Sequence, residues 1–354
     1  MTAAPPAPRR KRSARFSEIA ELAGVSTATV DRVLNERGSV SGDARKRVVA
    51  AARQLGVPRL LPDTRHGLVH IDVLLPDTDT PFFDRLKQAL RRALQMLDRR
   101  VVVHWSILPA ADDDLITARI DRAAYRRAGL IITARDSERV RDALSRAIER
   151  GEAVVTMTTD IGGIARAHYA GIDNYRAGRT AGYYLGRLAR RPGRVLLLAG
   201  RMDYGAHLDR IAGCREELAQ SFADFTCNDR PGETLDLDDR CYKAVVKALQ
   251  TRDDLVGIYN SGGGSTGVES ALRKFDAVGR VVWVGHEMLD IHRVYITAGA
   301  MDIAIDQDPD RQVISALQHL LHACGVVKQQ PPQDPVEFGI FCSANVRNTP
   351  YLQP

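Results

Sequence analysis

Between Phe16 and Leu55 the apolar positions recur at helical spacing in three short bursts. Ile19, Ala20, Leu22 and Ala23 form the first, Val30, Val33 and Leu34 the second, and Val48, Ala51, Ala52 and Leu55 the third. Each burst is punctuated. Ser17, Ser26 and Ser41 stand where N-caps belong, Gly24 ends the first helix, a loop with Gly38 precedes the third, and Gly56 before Pro58 stops it. Two short helices joined through Gly24-Val25-Ser26 read as a helix-turn-helix.

After Arg59 the texture changes. Strand-length apolar runs are read at 69–75, 101–107, 129–133, 153–157, 168–172, 194–199, 255–259, 281–285 and 301–305. Amphipathic helices are read at 82–98, 112–127, 137–150, 175–190, 206–220, 239–250, 265–275 and 310–324. Such alternation predicts βαβ units and parallel sheets covered on both faces. About 285 residues exceed one sheet of this kind, so two Rossmann-like lobes are expected. The fold class is therefore an all-α helix-turn-helix head followed by an α/β body. Open sheets of this type take ligands at the carboxyl ends of their strands.

Composition narrows the class. Hydrophobic residues make up 44% and charged residues 27% of the chain, as in a soluble globular protein. No uncharged apolar run reaches the length of about 18 residues that a membrane span needs. Arg9-Arg10-Lys11-Arg12 has no apolar stretch behind it, so no secretory signal is read and a cytoplasmic location is expected. Cys214, Cys227, Cys241, Cys324 and Cys342 are scattered, without metal-ligand spacing or a disulfide framework, and read as reduced thiols. No metal and no cofactor are expected. The formal charge of +6 is unevenly placed: residues 1–60 hold twelve Lys and Arg against five acids, which accounts for the whole excess. A basic head on a near-neutral body is the footprint of polyanion binding, although a charge run is also the mark of a solvated tail.

The segment Phe16-Ser-Glu-Ile-Ala-Glu-Leu-Ala-Gly-Val-Ser-Thr-Ala-Thr-Val-Asp-Arg-Val-Leu-Asn35, continued by Val40-Ser41 and Arg45 to Leu55, resembles the headpiece of the lac-repressor (LacI) family. The resemblance implies that the helix starting near Ser26 lies in the major groove. Thr27 and Ala28 then face base edges, with Asp31 and Arg32 one turn on. Arg32 suits a bidentate guanine contact or a phosphate; as an isolated residue it would be plain surface. Two roles are open to Asp31, accepting from cytosine N4 or pairing locally with Asn35 or Arg32. Ser26, Thr29, Asn35 and the helix start at Ser41 are candidates for phosphate contact. Family members carry a short hinge helix after the headpiece. Here Pro62 interrupts 58–67, leaving either a flexible linker or a wedge made by Leu60 or Leu61.

Residues 69–342 resemble the type I periplasmic sugar-binding-protein fold. The resemblance rests on Pro81-Phe82-Phe83, Gly171-Ile-Asp-Asn-Tyr-Arg-Ala-Gly178, Val284-Gly285-His286-Glu287 and Asp306-Gln307-Asp308-Pro309. It implies an effector site made by Phe82, Phe83, Asp160, Arg210, Asn260, Glu287 and Gln307. A sugar offers apolar faces and a ring of hydroxyls, and aromatic with charged or amide side chains match both. Each residue also has a structural reading. Phe82 and Phe83 could be core, Asn260 a cap, and Gln307 a crossover residue bonding backbone. Asp173 and Asn174 read as caps for the next helix. Ser261-Gly262-Gly263-Gly264-Ser265 could cradle a phosphate, yet it lacks the Lys-Ser/Thr of a P-loop and the spacing of a dinucleotide fingerprint.

These readings imply a DNA-binding transcriptional regulator, a repressor, with operator DNA and a small carbohydrate as partners and a homodimer as its form. The helix at 82–98 is the expected dimer surface. Domains are expected at 1–15 (basic tail), 16–57 (head), 58–68 (linker) and 69–342 (sensor), with a tail at 343–354. The sensor lobes are expected at 69–172 plus 306–336, and at 173–305 plus the C-terminal segment. The rival readings are a transport-type sugar-binding protein and a sugar-acting enzyme; no nucleophile, base and orienting group stand out for the latter, so no enzyme is expected.

Overall fold

The structure, a computed structural model, describes residues 16–35, 40–55, 57, 68–251 and 253–349. The expected basic tail 1–15, the Gly38 loop, the Gly56 stop, the linker 58–67 with Leu60 and Leu61, and residues 350–354 of the tail lie outside the described residues.

The head comprises α1 (Phe16–Ala23), α2 (Thr27–Leu34) and α3 (Gly42–Gln54). Ile19, Ala20 and Ala23 of α1 pack with Val30, Val33 and Leu34 of α2 and with Val48, Val49, Ala51 and Ala52 of α3. Two residues expected inward are not. Leu22 is 47% exposed because the stripe formed by 19, 20 and 23 leaves it to one side, and Leu55, 37% exposed, follows the last turn of α3. Ser17 is no cap, since α1 already includes Phe16. Ser26 does cap α2, its hydroxyl accepting from the Thr29 amide at 3.1 Å. Ser41 accepts from the Ala44 amide at 3.3 Å at the start of α3. Gly24 takes the left-handed backbone, φ +61°, that turns the chain between α1 and α2.

The body has two sheets. The first contains β1 (Val69–Asp77), β2 (Val101–Pro109), β3 (Arg127–Ile132), β4 (Ala153–Met157) and β5 (His168–Ala170), in the order β2-β1-β3-β4-β5. β3, β4 and β5 are parallel. Helices α4 (Pro81–Leu94), α5 (Asp113–Asp121) and α6 (Glu138–Glu149) alternate with these strands. The second sheet is built from β6 (Arg194–Ala199), β7 (Thr226–Cys227), β8 (Gly232–Glu233), β9 (Leu255–Asn260), β10 (Val282–His286), β11 (Ile303–Asp306) and β12 (Gly339–Phe341). Its order is β12-β11-β10-β9-β6-β7, with β8 also paired to β6, and every resolved pairing is parallel except that of β12. Helices α7 (Asn174–Leu188), α8 (Gly205–Ser221), α9 (Asp238–Thr251), α10 (Ser265–Lys274) and α11 (Asp290–Thr297) accompany it.

The chain leaves the first sheet after β5 and returns after β11, when α12 (Pro309–Ala323) packs on β4, β5 and α4. It then crosses back to place β12. Two of these crossings touch, Ile172 bridging Val336 in parallel. Strands such as β9 are buried along their whole length, which explains their unbroken apolar sequence. α7 and α8 pack backbone to backbone: a Cβ on Gly178 would lie 2.0 Å from the Arg210 carbonyl oxygen, and one on Gly213 would lie 2.1 Å from that of Tyr175.

Candidate functional site

A cavity of about 360 Å³ opens between the carboxyl ends of the strands of the two sheets, within the roughly 300–1,000 Å³ range of small-molecule sites. Phe82 and Phe83, at the start of α4, form one wall and meet edge to face at 5.2 Å between centroids. Thr158 and Thr159 follow β4, and Thr159 accepts from the Ala206 amide of α8 at 3.3 Å in a buried bond. Thr158 and Glu287 both line the cavity with left-handed backbone, φ +68° and +73°. Such strain in non-glycine residues, one of them β-branched, gathers at binding sites.

Arg210 reaches the cavity from α8 and is buried. Its Nε donates to Asn174 Oδ1 at 2.8 Å and its Nη1 to the Ser261 carbonyl at 2.9 Å. The close approach of α7 and α8 makes the first bond possible. Asn174 thus positions the arginine, a role its capping position in the sequence did not suggest; the cap is Asp173, which accepts from the Arg176 amide at 2.9 Å.

The polar lining of the cavity is incompletely bonded. Thr78 Oγ1, Tyr204 OH, His286 Nδ1, Glu287 Oε2, His292 Nε2 and Gln307 Oε1 are buried without a hydrogen-bond partner, and all six residues line the cavity. They are six of the ten such atoms among the described residues, so the deficit is concentrated at this site. A buried polar group left unpaired is costly, about 1–3 kcal/mol each, and a ligand rich in hydroxyls would satisfy several at once.

The remaining atoms of these side chains are fixed. Gln307 Nε2 donates to Glu287 Oε1, His286 Nε2 is 2.7 Å from the Tyr259 hydroxyl, and His292 Nδ1 is 2.6 Å from the Glu287 carbonyl oxygen. Burial pushes His207 and His292 down to about 4, and His286 well below its usual value, so the three imidazoles are neutral at neutral pH. Burial, and then the charge of Asp306, lifts the Glu287 carboxyl to about 7.

Five of the seven expected contact residues therefore line the cavity: Phe82, Phe83, Arg210, Glu287 and Gln307. Asp160 and Asn260 do not. Asp160 is engaged beside β4, accepting from Thr156 Oγ1 at 2.7 Å, from the Ile161 amide at 2.9 Å and from Arg166. Asn260 faces its own turn, donating to the Gly263 carbonyl at 2.8 Å and accepting from the Gly262 amide at 3.4 Å; it does not cap the helix that follows, whose N-cap is Gly264. Tyr204, His207, Asp236 and His292 line the cavity without having been singled out in the sequence. His292 had a signal, since it shares with Tyr295 and Ile296 the spacing of a buried helix face on α11.

On the head, Ser26, Thr27, Ala28 and Arg32 are exposed on α2 and Ser41 is exposed before α3, while Thr29, Asp31 and Asn35 are half-buried. Asp31 accepts from Asn35 Nδ2 at 2.5 Å. Arg32 Nε donates to the Ala28 carbonyl at 3.3 Å. Among the described residues, no cluster of His, Cys, Asp or Glu could hold a metal ion, and no helix is long and apolar enough to cross a membrane.

Residues 71–325 match the family of periplasmic binding protein domains, and residues 16–57 match the bacterial regulatory proteins of the lacI family. Among curated proteins, the chain is similar to the HTH-type transcriptional regulator MalR of Streptomyces coelicolor, 40% identical over 82 residues, 23% of each chain. It is similar to the ribose operon repressor of Bacillus subtilis, 37% identical over 94 residues, 25% of this chain and 28% of that one. A longer match, 28% identical over 224 residues and 61% of each chain, is to an uncharacterized HTH-type regulator in the aml 5' region of Streptomyces limosus. The alignments to the first two thus span about a quarter of those relatives' length. Among solved structures, a solute-binding protein of Burkholderia graminis in complex with D-arabinose has a TM-score of 0.71 at 22% identity, covering 80% of this chain and 98% of that one. One from Actinobacillus succinogenes with bound D-allose has a TM-score of 0.71 at 17% identity, covering 79% and 100%.

Proposed function

The chain belongs to the periplasmic binding protein domain family and carries a lacI-family head, and on that footing we propose that it is a DNA-binding transcriptional repressor whose operator affinity is set by a sugar bound in the cavity. The observation that carries the sensor half is that six residues with an unpartnered buried polar atom line the same cavity as an aromatic pair. A monosaccharide supplies hydroxyls for the first and a C–H face for the second.

Phe82 and Phe83 bear on the sugar face, and Arg210, Glu287 and Gln307 on its hydroxyls. Asp160 and Asn260 support neighbouring loops. On the head, Thr27, Ala28 and Arg32 read bases, and Ser26, Thr29, Asn35 and Ser41 hold phosphates. Asp31 orients Asn35. The active form is a homodimer, because two half-sites on an operator call for two-fold symmetry, with the outer face of α4 and the half-exposed edge strand β2 as its surface. The protein works in the cytoplasm, where its DNA lies, and turns nothing over. Sugar binding and operator binding are coupled reciprocally: whatever the sugar does to DNA affinity, DNA does to sugar affinity.

Thermal melting of the full chain against a panel of free monosaccharides tests the sensor half. One sugar is expected to raise the melting temperature in a concentration-dependent way, and Arg210→Ala is expected to abolish the shift. A panel that shifts nothing contradicts the sugar assignment.

A further inference from the structure

Leu235 and Asp236, between β8 and α9, both take left-handed backbone, φ +53° and +60°. Two consecutive non-glycine residues in that region are strained, and the surroundings hold them there. Leu235 N donates to the Gly200 carbonyl at 2.7 Å, and Thr234 Oγ1 donates to the Ala199 carbonyl at 2.9 Å. The result is that the Asp236 carboxylate is delivered to the cavity wall, where Oδ1 accepts the Gly263 amide at 2.7 Å. The glycines around it have no room for a side chain. A Cβ on Gly200 or on Gly262 would lie 2.3 or 2.4 Å from that same oxygen.

The turn Ser261-Gly262-Gly263-Gly264-Ser265, between β9 and the N-terminus of α10, is the geometry on which phosphate groups bind, through backbone amides and the helix dipole. Here an amide of that turn is already taken by the chain's own anion. The rest of the lining points the same way. Asp79 and Asp238 join Asp236, against Arg201 and Arg210. Arg201 is committed to Asp203 at 3.0 and 2.7 Å, and Arg210 is anchored to Asn174 and Ser261. The three cavity histidines are neutral and offset none of the negative charge.

We propose that Asp236 sets the charge class of the ligand, admitting an uncharged polyhydroxylated molecule and turning away one that bears a phosphate. Hydroxyls of a neutral ligand can donate to the carboxylate. A phosphate approaching the glycine turn meets a fixed like charge in a partly desolvated wall. The inference rests on the reading of the cavity as an effector site and specifies what that site selects.

Inorganic phosphate is the probe, titrated calorimetrically at low ionic strength into the full wild-type chain, Asp236→Asn and Asp236→Gly. Asparagine keeps an oxygen for the Gly263 amide and removes the charge. Glycine relieves the strained backbone as it removes the carboxylate, so this variant is expected to fold even if the first does not. Both variants are expected to bind phosphate at least about tenfold more tightly than the wild type. Wild type that binds phosphate as tightly as the variants overturns the proposal. So do variants with unchanged circular dichroism and no gain in phosphate affinity. Neither arm requires a sugar to bind, so a monosaccharide panel that shifts no melting temperature counts against the sugar reading alone.

Discussion

Arg85 and Asp306 form a two-pronged ion pair, Nη1 to Oδ1 at 2.5 Å and Nη2 to Oδ2 at 3.2 Å, which ties α4 to the end of β11 where the chain crosses between the sheets. Their side chains are only 13% and 10% exposed. Asp306 Oδ1 also accepts the Met288 amide at 2.8 Å, and Glu287 Oε2 lies 3.8 Å from the same guanidinium nitrogen. One arginine therefore offsets two acids. Arg85→Met leaves them facing each other and is expected to cost about 3–5 kcal/mol in denaturant unfolding. Asp306→Asn leaves the arginine with Glu287 and is expected to cost clearly less. Equal losses would contradict this division of charge.

The Glu287 carboxyl, raised to about 7 by burial and by Asp306, makes stability depend on pH in a direction opposite to that of the histidines. In the unfolded chain it titrates near 4.5, so its stabilising contribution is full below about 4.5, falls as pH rises, and is gone above about 7. His207 and His292, pushed down to about 4, contribute above 6.5 and lose that contribution as pH falls toward 4. Comparing wild type with Glu287→Gln removes the shared histidine effect. The wild-type melting temperature is expected to rise relative to the variant between pH 7 and 5. A difference that stays flat over that interval would show that Glu287 is already ionised.

On the head, fold and recognition can be separated. Ser26 caps α2 through the Thr29 amide, so Ser26→Ala is expected to lower stability by about 1 kcal/mol. Arg32 is exposed and donates only to its own turn, so Arg32→Ala is expected to leave unfolding unchanged. Competition between specific and random DNA should show that variant losing about 1–3 kcal/mol of discrimination. An equal loss on both DNAs would assign Arg32 to phosphate instead.

The contact between α7 and α8 predicts a coupled defect. In Gly178→Ala the new methyl meets the Arg210 carbonyl oxygen at 2.0 Å, so the helices must separate and Arg210 must move from Asn174. A stability loss of about 1–3 kcal/mol or more is expected, accompanied by weaker sugar binding. A variant that is destabilised yet binds sugar normally would mean that the arginine does not need this packing.

Much of this architecture was legible because buried parallel strands announce themselves as apolar runs. The run at 153–157 coincides with β4, and that at 194–199 with β6. The two-residue strands β7 and β8 carry no period and could not be seen. α11, Asp290–Thr297, was missed because Ile291, Val294, Ile296 and Thr297 are β-branched and weak helix formers. Packing of His292, Tyr295 and Ile296 overrides that preference. In the cavity, residues next to strong motifs were readable, as with Phe82 and Gln307. Asp236 was not, because its position depends on two strained residues and three distant glycines that local sequence does not connect.

The most direct test of the central claim is titration of the purified full chain onto DNA from upstream of its own gene, at several salt concentrations, with and without the monosaccharide panel. Tight, salt-sensitive and sequence-specific binding whose affinity one sugar changes is the predicted result. Weak binding that is indifferent to sequence and unmoved by every sugar would contradict the account.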